Sequence, residues 1–138
     1  MKNELSLLSD PKKFQNPIAI DNFDIISLKT MLESMVLIRK AEQKLAEARK
    51  EGLIGGPVHL GVGQEAISVG STLAMDNEEF ILPMHRNLGV FTSREVELYK
   101  LFCQFQGKID GFTKGRDRSF HFGTMEHKIV GMISHLGP

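Results

Sequence analysis

A run of apolar residues at helical spacing constrains the fold of this chain more strongly than any other feature. These residues recur three or four positions apart; they are Leu28, Met31, Leu32, Met35, Ile38, Leu45 and Ala48. Ser27 is a suitable N-cap and Gly52 a suitable stop, so the pattern predicts an amphipathic helix that runs to about Glu51. We expect its apolar face to pack on the core.

Glycine and proline interrupt the pattern directly after this helix. Residues 52–57 contain three glycines and a proline and therefore cannot continue the helix. A second helix is predicted over residues 64–75. Its Ala66, Gly70 and Ala74 form a face of small residues, which would allow another backbone to pack closely against it.

Two short apolar runs have the composition of strands. Residues 80–82 read as a buried strand that ends at Pro83, and residues 129–133 read as a second strand. Between them a third helix is predicted from Thr92, where Glu95 would complete a capping box, to Gly107. The residues that this helix is expected to bury are Val96, Leu98, Leu101, Phe102 and Phe105.

The composition is that of an ordinary globular protein. It is 41% hydrophobic and 25% charged, with 17 basic and 17 acidic residues, so no net field attracts nucleic acid or a membrane surface. No run approaches the roughly 20 apolar residues of a membrane span, and the start lacks signal- and transit-peptide patterns. We expect a cytoplasmic location and neither a nucleic-acid nor a membrane partner. The single cysteine, Cys103, stands in an apolar run and is interpreted as packing rather than as a nucleophile.

The two ends of the chain suggest an incomplete domain. Residues 1–27 are polar and contain Pro11 and Pro17, and are interpreted as an arm or linker. Residues 28–138 would be the foldable part. Because the chain stops directly after the second apolar run, we expect a truncated fragment.

The sequence after the first predicted strand is a candidate anion site. His85 and Arg86 would lie at the carboxyl end of that strand, where ligands bind in open α/β sheets. An arginine there can hold a phosphate through two hydrogen bonds, and an imidazole can add a donor. The alternative is a surface arginine beside a histidine that bonds to the backbone.

Other polar residues also leave two interpretations open. His59 is either a satisfied core side chain or a hydrogen-bonding group in a ligand pocket, aided by the nearby glycines. Residues 114–118 are basic and form either a solvated loop or a lid that faces an anion. His121 either lines a pocket or packs. None of the five histidines pairs with a carboxylate or cysteine at metal-ligand spacing.

Four segments follow one another along the chain: GGPVHLGVGQEA (Gly55 to Ala66), MHRNLGVF (Met84 to Phe91), GFTKGRDRSFHFG (Gly111 to Gly123) and IVGMISHLGP (Ile129 to Pro138). This order resembles the alpha subunits of the E1 components of 2-oxo acid dehydrogenase complexes, which depend on thiamine diphosphate. The resemblance implies an α/β fold with a parallel sheet. This chain would supply its N-terminal helical part and first strands and would be helix-rich as a fragment.

The resemblance also implies roles for particular residues. His85 and Arg86 match the pair that holds the cofactor diphosphate, although the family usually has tyrosine at the first position. His59 matches a pocket histidine. Ser134 and Leu136 match the segment at the aminopyrimidine, where the leucine keeps the cofactor bent. The substrate side is matched by Ser119 and His121. No residue of this segment is expected to be a covalent catalyst.

The activity implied is oxidative decarboxylation of a 2-oxo acid with transfer of the acyl group to a lipoyl group on an E2 partner. The spacing from Arg86 to Leu136 is similar to that of branched-chain members, with pyruvate or acetoin dehydrogenase as alternatives. Mg²⁺ ligands are expected after Pro138, and a beta subunit or a fused beta region would complete the site. These residues alone are therefore expected to be inactive. Two alternative functions from other classes of protein stay open: a helical protein-interaction module and a stand-alone anion-binding domain.

Overall fold

A computed structural model describes residues 22–117, 119 and 121–132. Within these residues the chain forms four α-helices, which we number in order: α1 Ile25–Lys50, α2 Glu65–Leu73, α3 Gly89–Ser93 and α4 Leu98–Phe105. A short 3₁₀ helix, Met125–His127, follows. In the described part of the chain, no helix is both long enough and apolar enough to cross a membrane.

Helix α1 begins earlier than the sequence indicated. Asp24 is its N-cap, and Ser27 instead donates to the Asp24 carboxylate from both its backbone N–H and its hydroxyl, each at 2.8 Å. The assignment of Ser27 as the cap is therefore wrong, because the carboxylate one turn earlier accepts the orphan N–H groups. The end is as predicted: Gly52 follows with a φ of 79°, a left-handed conformation that favours glycine.

Only the second half of α1 packs as a core helix. Ile38, Ala41, Glu42 and Leu45 are buried there, whereas Leu32 in the first half is 57% exposed. The remaining apolar positions predicted for the core face, Leu28, Met31, Met35 and Ala48, are half-buried. The reason lies in the partners of α1, which are α2, α3 and α4. Ile38, Ala41 and Leu45 line a small cavity together with residues of α3 and α4, so the burial is concentrated there.

Helix α2 packs through a different face from the one predicted. Its buried residues are Glu65, Ser68, Val69 and Thr72, whereas Ala66 and Ala74 are exposed. The small-residue face was therefore the wrong face. The close approach occurs instead at Gly89 of α3, where an added Cβ would lie 2.9 Å from the Cβ of Ser68.

The third predicted helix is two helices separated by a break. Thr92 lies inside α3 and donates its hydroxyl to the Gly89 carbonyl at 2.9 Å, and Glu95 has a left-handed φ of 60°. The capping box is therefore wrong, and α4 starts after Glu97. Of its predicted core residues, Val96, Leu101 and Phe105 are buried, while Leu98 and Phe102 are half-buried.

The two predicted strands are reduced to isolated bridges in the described residues. Ile81 pairs in parallel with Ile129, through Ile81 N–H to the Lys128 carbonyl at 2.9 Å and Val130 N–H to the Ile81 carbonyl at 3.0 Å. Phe80 and Leu82 are more than half exposed, so the prediction of a buried strand is wrong for them. Pro83, which has no N–H, follows closely and limits further pairing. The observed helices are compatible with the N-terminal part of the expected fold, and the parallel sheet stays a prediction.

Candidate functional site

The loop between α1 and α2 lies against the segment that follows Pro83. Arg86 donates from Nη1 to the carbonyl of Leu60 at 3.2 Å. Gly61 approaches the same segment so closely that a Cβ on it would collide with the Arg86 carbonyl oxygen. Glycine at this position is therefore required by the close contact of two backbones rather than by its φ angle.

Two histidines from these segments meet beside this contact. The rings of His59 and His85 are 4.7 Å apart between centroids, at an interplanar angle of 66°. Both side chains are half-buried, and the neighbouring Arg86 is exposed. The structure thus brings together three of the predicted cofactor-binding residues, although His59 and Arg86 are distant in sequence.

Helix α1 contributes a buried carboxyl group beneath the loop. Glu42 is only 1% exposed, and its Oε1 lies beside Gly61, 3.2 Å from where a Cβ on that glycine would be. Burial raises the pKa of this carboxyl to about 7, with the nearby Glu65 adding to the rise while the Gly61 backbone and Arg39 oppose it. Glu42 therefore stays largely protonated below neutral pH.

An ion pair holds the other end of the loop. Arg39 of α1 donates from Nε and Nη2 to the Glu65 carboxylate, the second bond at 3.0 Å. Glu65 also accepts the Gly63 N–H at 2.9 Å. The hydrogen bond from Arg39, together with those from backbone N–H groups, lowers the pKa of Glu65 to about 2. Glu65 is consequently ionised throughout the neutral range.

Sequence reasoning missed Arg39, Glu42 and Glu65 as parts of the site. A signal for Glu42 was present, because it lies on the buried face of α1 between Ile38 and Leu45. A carboxyl group at a core position is rarely fully buried without a role or a partner.

The two residues predicted for the substrate side lie on a separate segment. Ser119 is buried and donates its hydroxyl to the Pro57 carbonyl at 2.8 Å, which links this segment to the α1–α2 loop. His121 is exposed, has a φ of 65° and donates its backbone N–H to the Met132 carbonyl at 2.9 Å. Their substrate role stays a prediction. Ser134 and Leu136 lie outside the described residues.

A buried glutamine forms hydrogen bonds with the backbone of the basic loop predicted over residues 114–118 and of the residue before it. Gln104 of α4 accepts the Thr113 N–H at 3.0 Å and donates to the Asp117 carbonyl at 3.2 Å. Lys114 and Arg116 are exposed on this loop. Cys103 is 3% exposed, in agreement with a packing role.

No group of three or more histidine, cysteine, aspartate or glutamate side chains that could hold a metal ion occurs in the described ranges.

Residues 33–137 match the profile of the family described as "Dehydrogenase E1 component". Curated relatives include the mitochondrial pyruvate dehydrogenase E1 component subunit alpha of Solanum tuberosum, 33% identical over 80% of this chain and 30% of that protein. The alpha subunit of acetoin:2,6-dichlorophenolindophenol oxidoreductase of Bacillus subtilis is 30% identical over 78% of this chain and 32% of its own.

The mitochondrial 2-oxoisovalerate dehydrogenase subunit alpha of Homo sapiens is also 30% identical, over 77% of this chain and 24% of its own length. The chain therefore spans a third or less of the length of these relatives. The identities are too similar to separate the three substrate types named by these proteins.

Proposed function

Because the chain belongs to the dehydrogenase E1 component family, we propose that it forms the diphosphate-holding part of an alpha subunit in a thiamine-diphosphate-dependent 2-oxo acid dehydrogenase. The observation that carries this proposal is the meeting of Arg86, His85 and His59 at the contact between two loops. The residues outside this contact take their roles from the family resemblance.

The donor set fits a diphosphate group. A guanidinium has five N–H donors in a planar fork, and the Leu60 carbonyl uses one of those of the exposed Arg86. Arginine pairs with phosphate oxygens in a bidentate geometry, and the adjacent imidazole of His85 can supply the donor that a tyrosine hydroxyl supplies elsewhere in the family. When bound, thiamine diphosphate would supply the stabilised carbanion for decarboxylation.

The other proposed site residues would lie around the contact of Arg86, His85 and His59. His59 would border the cofactor beside His85, while Ser134 and Leu136 would meet the aminopyrimidine. Ser119 would act by holding the α1–α2 loop through Pro57, and His121 would face the substrate. Mg²⁺ would be held by residues C-terminal to Pro138, outside this sequence.

The proposed partners are a beta subunit, or a fused beta region, and a lipoyl-bearing E2. The first half of α1 provides a surface suited to such a contact, because Ile25, Ile26 and Val36 are 79%, 76% and 46% exposed. The same surface would also serve a helical interaction module, and binding of the cofactor separates the two readings.

The proposed substrates are branched-chain 2-oxo acids. In the full-length enzyme assembled with its beta partner and a lipoyl-bearing E2, we expect kcat/KM for 3-methyl-2-oxobutanoate to exceed that for pyruvate by about tenfold or more, the discrimination that a pocket gains from additional methyl groups. Steady-state kinetics with both substrates and with acetoin would measure this. Equal or higher efficiency with pyruvate or acetoin would assign the enzyme to that substrate type instead.

A further inference from the structure

The buried carboxyl of Glu42 touches the place where the α1–α2 loop meets Arg86. A Cβ on Gly61 would lie 3.2 Å from Glu42 Oε1 and also against the Arg86 carbonyl oxygen. One carboxyl oxygen thus lies at the contact of the two segments that carry His59 and Arg86.

The other oxygen, Oε2, is buried and has no hydrogen-bond partner among the residues that the structure describes. Glu42 also borders a small cavity whose remaining lining is mainly apolar, including Ile38, Leu45, Leu88 and Leu101. An ionised carboxylate with one unsolvated, unpaired oxygen is costly, whereas a neutral carboxylic acid is tolerated in such surroundings. The geometry therefore favours the neutral form.

Two charged groups act on Glu42 in opposite directions: Arg39 favours the ionised carboxylate, Glu65 disfavours it, and burial outweighs both. Arg39, on the same helix as Glu42, is bonded to Glu65 of α2. The negative charge of Glu65 would repel an ionised Glu42. From α3 and α4 the neighbours around the cavity are uncharged, among them Gly89, Thr92 and Phe102.

We propose that Glu42 is a positioning residue of the proposed diphosphate site. As a neutral carboxylic acid, it holds Leu60 and Gly61 against Arg86. This inference rests on the proposed function. Ionisation would place a negative charge directly behind a site that binds an anion, and it would disfavour the buried arrangement of the loop. Affinity for thiamine diphosphate should therefore fall as the pH rises. The pKa of about 7 places this change in the neutral range.

The test is calorimetric titration of the full-length protein, assembled with its beta partner, with thiamine diphosphate and Mg²⁺ at pH 6.0 and 8.5. Wild type is expected to bind about tenfold more weakly at pH 8.5, since a free-energy change of about 1.4 kcal/mol corresponds to one order of magnitude in affinity. Glu42→Gln, which cannot ionise, is expected to keep the pH 6.0 affinity and to lose most of this decline. Glu42→Ala is expected to bind about tenfold more weakly at both pH values.

Glu33→Gln is the matched control, because Glu33 lies exposed on the same helix. It should follow wild type at both pH values. Imidazole groups titrate in this range as well, so the comparison of interest is wild type against Glu42→Gln in the same buffers.

A decline in Glu42→Gln as large as in wild type would overturn the proton-linked role. Wild-type affinity in a folded Glu42→Ala would overturn the positioning role; if that variant does not fold, the Glu42→Gln profile decides alone. Absence of binding by wild type at both pH values would instead refute the proposed function, so the two failures are distinguishable.

Discussion

Replacing Arg86 by alanine is expected to weaken binding of thiamine diphosphate by about 10- to 150-fold. A charge-assisted hydrogen bond contributes about 1.5–3 kcal/mol, which corresponds to this range of affinity. The loss should be at the upper end if both oxygens of one phosphate bond to the guanidinium. Calorimetry on the full-length protein with its beta partner and Mg²⁺ would measure it.

Two further variants make this result specific. Arg86→Lys keeps the charge but not the planar fork and should recover only part of the affinity. Arg49→Ala removes an exposed arginine from the last turn of α1 and should leave the affinity unchanged. Unchanged affinity in Arg86→Ala would remove Arg86 from the site.

Replacing Phe91 by alanine is expected to lower the free energy of unfolding by about 3–5 kcal/mol, the range for phenylalanine deletions in protein cores. The Phe91 side chain is 0% exposed. Its ring centroid lies 4.9 Å from that of Phe122 and 6.4 Å from that of Phe112. The variant would leave a cavity at the centre of the cluster that joins α3 to the later loops.

Urea denaturation of the full-length protein would measure this loss. Phe80→Ala is a suitable control, because Phe80 is 53% exposed and the Lys128 ammonium lies over its ring, 5.4 Å from the centroid. We expect that variant to lose no more than about 1 kcal/mol. A similarly small effect of Phe91→Ala would show that the ring does not lie in the core.

The sequence predicted features that depend on local chemistry. The end of α1 shortly before Gly52 was readable because the left-handed conformation that often follows a helix favours glycine. The burial of Leu101 and Phe105 was readable from helical periodicity. The family itself was readable from the order of the four segments, and the profile match over residues 33–137 confirms it.

Features that depend on tertiary contacts were predicted poorly. The break between α3 and α4 was missed because Thr92 and Glu95 have the spacing of a capping box, yet the left-handed Glu95 ends one helix before the next begins. The exposed first half of α1 was missed because periodicity records which residues share a face but not whether anything covers it.

In the candidate site, too, the features set by local sequence were predicted and those set by tertiary contacts were not. Arg86 and His85 were found because they follow an apolar run directly in sequence. Their contacts with Leu60 and His59 required the folded chain. The bond from Arg39 to Glu65 was not predicted either, because it joins α1 to α2 and forms only when the two helices pack together. For Glu42 the sequence did hold a signal, its place on the buried face of α1.

The most direct test of the central claim compares three ligands by calorimetry on the full-length protein with its beta partner and Mg²⁺. The ligands are thiamine diphosphate, thiamine and inorganic pyrophosphate. We predict saturable binding of thiamine diphosphate, with thiamine weaker by about 100-fold or more because it cannot bond to Arg86, and with pyrophosphate also weaker. Equal affinity for pyrophosphate and thiamine diphosphate would identify a general anion site, and no binding of thiamine diphosphate would contradict the account.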